Sequence, residues 1–328
     1  MHPLVARIHP SYRTAVISWF FARAICWMAK ASTGVLAVPL LYSPSYGRGA
    51  PLWAGWVRAC RSLEAYGVWD SAGLGTLVMV VTGELALLVG AIAVYRLARR
   101  DELPQTAERA TWLWALTPVM ALTVPVSSWA FAAAGVAVAM AAIGANAFIL
   151  AAVALCFAVG FRVEAILVWP GFVWMAYRAY RPAKDPSIGP WLAFFAPLTT
   201  FTATVGGAIL FAGTWGMSVR ELHPESHWRS GLAWDGFGAE APLLIFALVT
   251  LLVVVLLVRA VGRDAGKALL VSGPPMVWPL LHEPSFRASG TLLFALPAFV
   301  LLARNMDDRS FERPAMVASA VGLLLIAI

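Results

Sequence analysis

The chain has 328 residues, of which 61% are hydrophobic and only 12% charged, with a mean hydropathy of +0.78 and a formal charge of +7. Soluble domains hold roughly 45–50% apolar residues, so this composition excludes an ordinary soluble enzyme and points to a polytopic membrane protein. The positive balance forms no basic stripe interleaved with aromatics, so orientation and anionic lipid account for it and no nucleic acid is expected as a partner.

A crossing takes about 20 largely apolar residues, fewer where neighbouring helices shield the ends. In chain order the candidate spans are 14–42, 72–95, 110–125, 127–144, 146–160, 164–180, 190–213, 241–259, 267–282, 288–303 and 314–328. Backbone polar groups in lipid must be satisfied within the segment. The predicted fold is therefore all-α, with about 11 transmembrane helices in a single transmembrane domain over 1–328. The first span contains Arg23 and Lys30, which suits a long, tilted or partly interfacial helix. No short apolar run followed by a small-residue cleavage site precedes it, so the first span itself is expected to direct insertion.

Threading these spans from a cytoplasmic N terminus puts the hydrophilic gaps at 96–109, 178–189, 259–267 and 304–313 on one side. Those gaps hold 13 of the 24 Lys and Arg residues, and Arg7 and Arg13 raise the inside total to 15, against seven outside. This is the positive-inside pattern. Arg outnumbers Lys 21 to 3 and Ala is abundant, a bias of GC-rich bacterial genomes, so the expected location is a bacterial cytoplasmic membrane. Cys26, Cys60 and Cys156 are too widely spaced for a disulfide framework or a thiolate metal site.

Two longer segments face outward in this threading. The first, 43–71, contains Leu52, Trp56, Ala59 and Leu63 at helical spacing, with Arg58 and Arg61 on another side, as in an interfacial helix on the outer leaflet. A plain loop anchored by its tryptophans is the alternative. The second, 214–240, is broken by Pro224 and by Gly231, Gly236 and Gly238. Its Trp, His and carboxylate residues, together with Arg229, suit recognition of a polar head group, although a solvated connector has the same composition.

Ionisable groups in or beside spans are the strongest functional candidates, because an unpaired charge there is costly. Asp70, in Trp69-Asp70-Ser71, could act as general base on an acceptor hydroxyl or hold a divalent cation, and could equally cap the helix that follows. Glu64 could supply a second carboxylate or be a solvated side chain. Arg162 and Glu164 sit between two apolar runs, where they could bind a phosphate and a sugar hydroxyl or pair with each other. His282, Glu283 and Arg287 mark a further outer junction, at which Arg287 could clamp a lipid phosphate or snorkel to water. His223 and His227 share a helical spacing but lack a third ligand, so no metal site is assigned. Glu84 lies inside the second span, where it could be protonated or paired with Arg23 or Lys30.

No phosphate-binding glycine loop, dinucleotide fingerprint, serine elbow or kinase set occurs, so no motif points to ATP or NAD chemistry. A transporter of a lipid-linked or small polar solute would place charges midway along spans and show inverted repeats, whereas most polar candidates here lie at outer ends. A non-catalytic accessory membrane protein is the other competing class.

The order VYRLARR, ALTPVMALTVPVSSWAF, AAVALCFAVGFRVEAILVWPG and RASGTLLFALPAFVLLAR resembles the PIG-V-type mannosyltransferases, the GPI mannosyltransferase II family and its bacterial relatives, over about residues 50–303. Thr117-Pro118 matches that family's proline turn, Phe161-Arg162 its arginine junction, and Arg287 with Leu296-Pro297 its late element. The resemblance implies a GT-C glycosyltransferase that takes a sugar, mannose by family likeness, from a polyprenyl-phosphate donor. It passes the sugar with inversion to a lipid, glycan or protein acceptor on the outer face. Asp70 would be the base, and Arg162 or Arg287 would stabilise the departing phosphate. In the family the Trp-Asp element comes before the stretch resembled by Ala50-Pro51-Leu52, whereas Trp69-Asp70-Ser71 follows it here. Either the loop is shortened and Asp70 takes the catalytic place, or the catalytic segment is missing from this N terminus.

The threading predicts that a cytoplasm-active fluorescent reporter works when fused after Arg100 or Arg304, and that an exported phosphatase works when fused within 214–240. Activity of the exchanged fusions would reverse the assigned orientation.

Overall fold

The computed structural model describes residues 74–117, 119–120, 128–183, 188–214, 265–281 and 288–305, together with Ala24, Leu52 and Ala59. Within these residues every regular element is helical and no strand occurs. The predicted spans 241–259 and 314–328, all of 14–42 except Ala24, and most of the two long segments predicted to be external lie outside them.

Helix α1, Leu74–Asp101, extends the predicted 72–95 through Arg96, Arg99 and Arg100, whose positive charges suit the negative end of the helix dipole. It stops before Leu103, whose extended ψ of 154° is what a residue preceding proline adopts. Proline at the first position then opens α2, Pro104–Ala115. The predicted span 110–125 is thus not one continuous helix. It begins within the hydrophilic gap and ends where the Thr117-Pro118 pair disfavours further α-helix.

Helices α3, Ser128–Gly144, and α4, Phe148–Phe161, reproduce two predicted spans nearly residue for residue. Their tight turn has a specific cause. Asn146 adopts φ 59°, Ala147 N–H donates to Ala142 C=O at 2.9 Å, and Asn146 N–H donates to Ile143 C=O at 2.9 Å. This is the Schellman closure, with asparagine in the left-handed position that glycine more often fills.

The predicted 164–180 divides into a 3-10 turn, Val163–Val168, and α5, Trp169–Ala183. Helix α6, Gly189–Thr214, continues through Pro197, and the hydroxyls of Thr199, Thr200, Thr202 and Thr204 donate back to carbonyls of the turns around it. After α7, Ala265–Leu281, the predicted 288–303 also divides, into a 3-10 turn, Ala288–Phe294, and α8, Leu296–Asn305.

Helix α3 lies between α1 and α4, α4 packs on α6, α2 lies against α1 and α8, and α7 meets α5, α8 and the 288–294 turn. Small residues set the spacing. A Cβ at Gly90 would stand 3.2 Å from Ala134 Cα, and one at Gly135 would stand 2.9 Å from the Ala154 carbonyl oxygen and 2.9 Å from Ala158 Cβ. Gly and Ala at these points let the helix backbones approach closely.

The hairpin puts Ser128 and Phe161 at one end of the helices, called here the junction end. The Arg100 side chain lies against Gly144 at the other end, where Arg304 also approaches Glu102 at 3.7 Å. Among the described residues, the stretch Leu77–Asp101 is the one helix long and apolar enough by length and composition to cross a membrane, while α3 and α4 are apolar but shorter. Large apolar side chains are nevertheless exposed in rows four apart: Leu77, Val81, Leu85 and Val89 on α1, and Ile149, Val153 and Phe157 on α4.

Helix α7 contains Pro274, Pro275 and Pro279, so several of its carbonyls lack a helical donor. The Pro275 carbonyl would ordinarily accept from residue 279. Instead the buried Thr291 hydroxyl donates to it at 2.8 Å. A second link ties the same helix to α8, where Ala298 N–H donates to Ser272 Oγ at 3.1 Å. Thr291→Val, which keeps the shape but removes the donor, should destabilise the fold by about 1–3 kcal/mol, while Thr291→Ser retains most of the stability. Equal thermal midpoints in detergent for the two variants would show that the bond contributes nothing.

Candidate functional site

The α4 helix ends because Arg162 leaves helical geometry, with φ −146° and ψ 116°, while its N–H still donates to Ala158 C=O at 2.8 Å. Its own carbonyl accepts from Ala165 N–H at 3.0 Å, which starts the 3-10 turn. This corner points the Arg162 side chain across the head of α3. The guanidinium carbon lies 4.4 Å from the ring centroid of Trp129, a cation–π contact of about 0.5–2 kcal/mol depending on desolvation.

The surroundings of this guanidinium are aromatic and nearly dry. Trp129 is buried and packs on Phe294 with centroids 5.6 Å apart, while Phe161 stacks on Phe131 at 4.7 Å and meets Phe157 at 4.6 Å. Arg162 and Glu164 side chains are 19% and 25% exposed, and Nη1 stands 3.6 Å from Glu164 Oε1. That separation exceeds the roughly 2.7–3.2 Å of a hydrogen bond, so the carboxylate neutralises the cation without closing on it. The Arg162 Nε is buried with no hydrogen-bond partner. A buried donor left unmade costs about 1–3 kcal/mol. The corner is therefore a partly neutralised cation laid on an aromatic face, with one buried donor unmade.

Two further pieces of chain reach the same end. The Leu52 side chain, from the 43–71 segment, lies against Gly160 and leaves no room for a Cβ there. Gly290, in the late 3-10 turn, is pressed on Trp129, where a Cβ would be 2.5 Å from the ring. The structure thus brings together the Arg162–Glu164 pair, a residue of the 43–71 segment and the 288–294 turn.

Asp70, Glu64, Arg229, His282 and Arg287 lie outside the described residues, as do His223, His227, Cys26 and Cys60. Glu84 is half-buried in α1 and has an interaction partner in the fold. Cys156 packs between α4 and α6, with a side-chain hydrogen bond to Thr200. Within the hydrophilic gap, burial pushes the Glu108 carboxyl above its ordinary range. Among the described residues no three His, Cys, Asp or Glu side chains gather into a metal-holding group. Trp129 is the site residue that sequence reasoning left without a role. The signal available was a lone tryptophan heading an alanine-rich helix.

Compared with known protein families, with curated proteins and with solved structures, the chain matches none.

If Arg162 is held for function more than for stability, the two partners respond differently to truncation. Trp129→Ala should cost about 3–5 kcal/mol, whereas Arg162→Met, which leaves the partly exposed Glu164 open to water, should cost no more than about 2 kcal/mol, the scale of the cation–π contact it removes. Thermal denaturation of the detergent-purified variants separates them, and a large loss in Arg162→Met would make the arginine a packing residue.

Proposed function

We propose that this chain is an integral-membrane glycosyltransferase of the PIG-V type, with about 11 crossings and its basic helix ends in the cytoplasm. It transfers a sugar, mannose by family resemblance, from a polyprenyl-phosphate donor to an acceptor on the outer face. The observation that carries this reading is the Arg162 corner: a half-buried guanidinium with an unmade donor, held over Trp129 at the end of two apolar helices. A lipid phosphate is the ligand that the exposed part of an arginine side chain in such a place suits best.

In the proposed reaction a carboxylate removes the proton of the acceptor hydroxyl, and the acceptor oxygen attacks the anomeric carbon. The bond from that carbon to the phosphate oxygen breaks with inversion, and the polyprenyl phosphate leaves with the electron pair. Arg162 stabilises the charge that develops on the departing phosphate. Asp70 is the proposed base, with Glu64 as a second carboxylate. Glu164 contacts a sugar hydroxyl, and Arg229, His282 and Arg287 complete the donor site. Membrane insertion is supported by the apolar α1, by the rows of exposed aliphatic side chains and by the separation of Arg100 and Arg304 from Arg162.

The Glu164 contact favours a second reading. If Arg162 exists only to pair with Glu164 and stack on Trp129, the protein is a non-catalytic accessory subunit of the same membrane system.

Purified protein supplied with radiolabelled polyprenyl-phosphate-mannose and membrane acceptors should transfer label. Arg162→Met should lower the rate about 100-fold, and Asp70→Asn should abolish it. A wild-type protein inactive beside an active control enzyme, across several donors and acceptors, would favour the accessory reading.

A further inference from the structure

A cavity of about 450 Å³ lies at the basic end of the helices, away from Arg162. Its walls are apolar, from Leu97 on α1, Met175 on α5, Val271 on α7 and Val300 on α8, and its polar lining is Asp101, Glu102 and Arg304. Asp101 and Arg304 are exposed, which makes them the mouth. The Arg304 Nη1 stands 3.7 Å from Glu102 Oε1, too far for a closed hydrogen bond, so the two charges face the opening as neighbours and leave lone pairs and N–H groups unspent on each other. The volume falls within the roughly 300–1,000 Å³ of ordinary ligand sites.

We propose that this cavity binds a zwitterionic membrane lipid whose head group carries a primary ammonium and a phosphate. The ammonium meets Asp101 and Glu102, the phosphate meets the planar donors of Arg304, and the first carbons of the chains cover the apolar walls. The charge pattern selects the head group. An anionic lipid would bring its phosphate to two carboxylates with one cation between them. A choline head group has no N–H to donate to either carboxylate. The apolar walls favour a lipid over a free head group, which would leave them uncovered.

The proposal rests on the membrane reading of the chain but not on the Arg162 site. Detergent-purified protein, stripped of lipid and then offered equal amounts of phosphatidylethanolamine, phosphatidylcholine and phosphatidylglycerol, is examined by native mass spectrometry. Wild type should retain the ethanolamine lipid several-fold over the others, and Arg162→Met should do the same. The double variant Asp101→Asn, Glu102→Gln should fall to parity among the three lipids. Val300→Phe, which narrows the cavity without altering charge, should lower retention even if the double variant folds poorly. Equal retention of all three lipids by wild type, or an unchanged preference in both variants, overturns the site. Recovery of the chain without detergent would overturn the membrane reading as well, and a detergent-dependent chain with no ethanolamine preference overturns this proposal alone.

Discussion

The close approach of α3 to its two neighbours is the constraint on which the rest of the structure depends. Gly90 lets α1 come to Ala134, and Gly135 lets α4 come to within contact of its own backbone. With no large side chain between them, contact distance itself supplies the dispersion attraction that holds these helices together. Once α3 and α4 lie this close and turn through Asn146, the head of α3 must stand beside the end of α4. Trp129 then meets Arg162 without any residue of the site having to arrange it.

The two ends of the helices solve opposite electrostatic problems. At the basic end Arg96, Arg99, Arg100 and Arg304 are exposed, so water screens them and their long stems can lie along apolar surface. At the junction end Arg162 has given up much of its hydration. An aromatic face and a carboxylate at a loose distance offset part of that loss, and the unmade Nε bond shows that they do not offset all of it. An arrangement that leaves a cation incompletely satisfied is poor for stability and good for binding an anion.

Much of the architecture was legible from hydropathy, because α3, α4, α6 and α7 are bounded by the polar or helix-breaking residues that also mark them in the sequence. The misread segments share a cause. At 163–168 and 288–294 the breaks are marked only by Glu164 and by Ser289-Gly290-Thr291, which do not by themselves tell a 3-10 turn from an α-helix. The start of α2 was hidden because Pro104 opens a helix inside a charged stretch. Of the site, Arg162 and Glu164 stood out as charges between apolar runs. Trp129 did not, because its importance comes from a hairpin partner more than 30 residues away, and a tryptophan at a helix head reads first as an interfacial anchor.

The Thr291 bond to the Pro275 carbonyl carries a consequence for biogenesis. Synthesis makes α7 before the segment that holds its missing donor. Until the 288–294 turn is in place, the Pro275 carbonyl lacks the donor that a proline four residues on cannot supply. Helix α7 and the 288–294 turn therefore settle as a pair, so a chain ending between residues 281 and 288 would hold α7 less firmly than one that reaches Thr291.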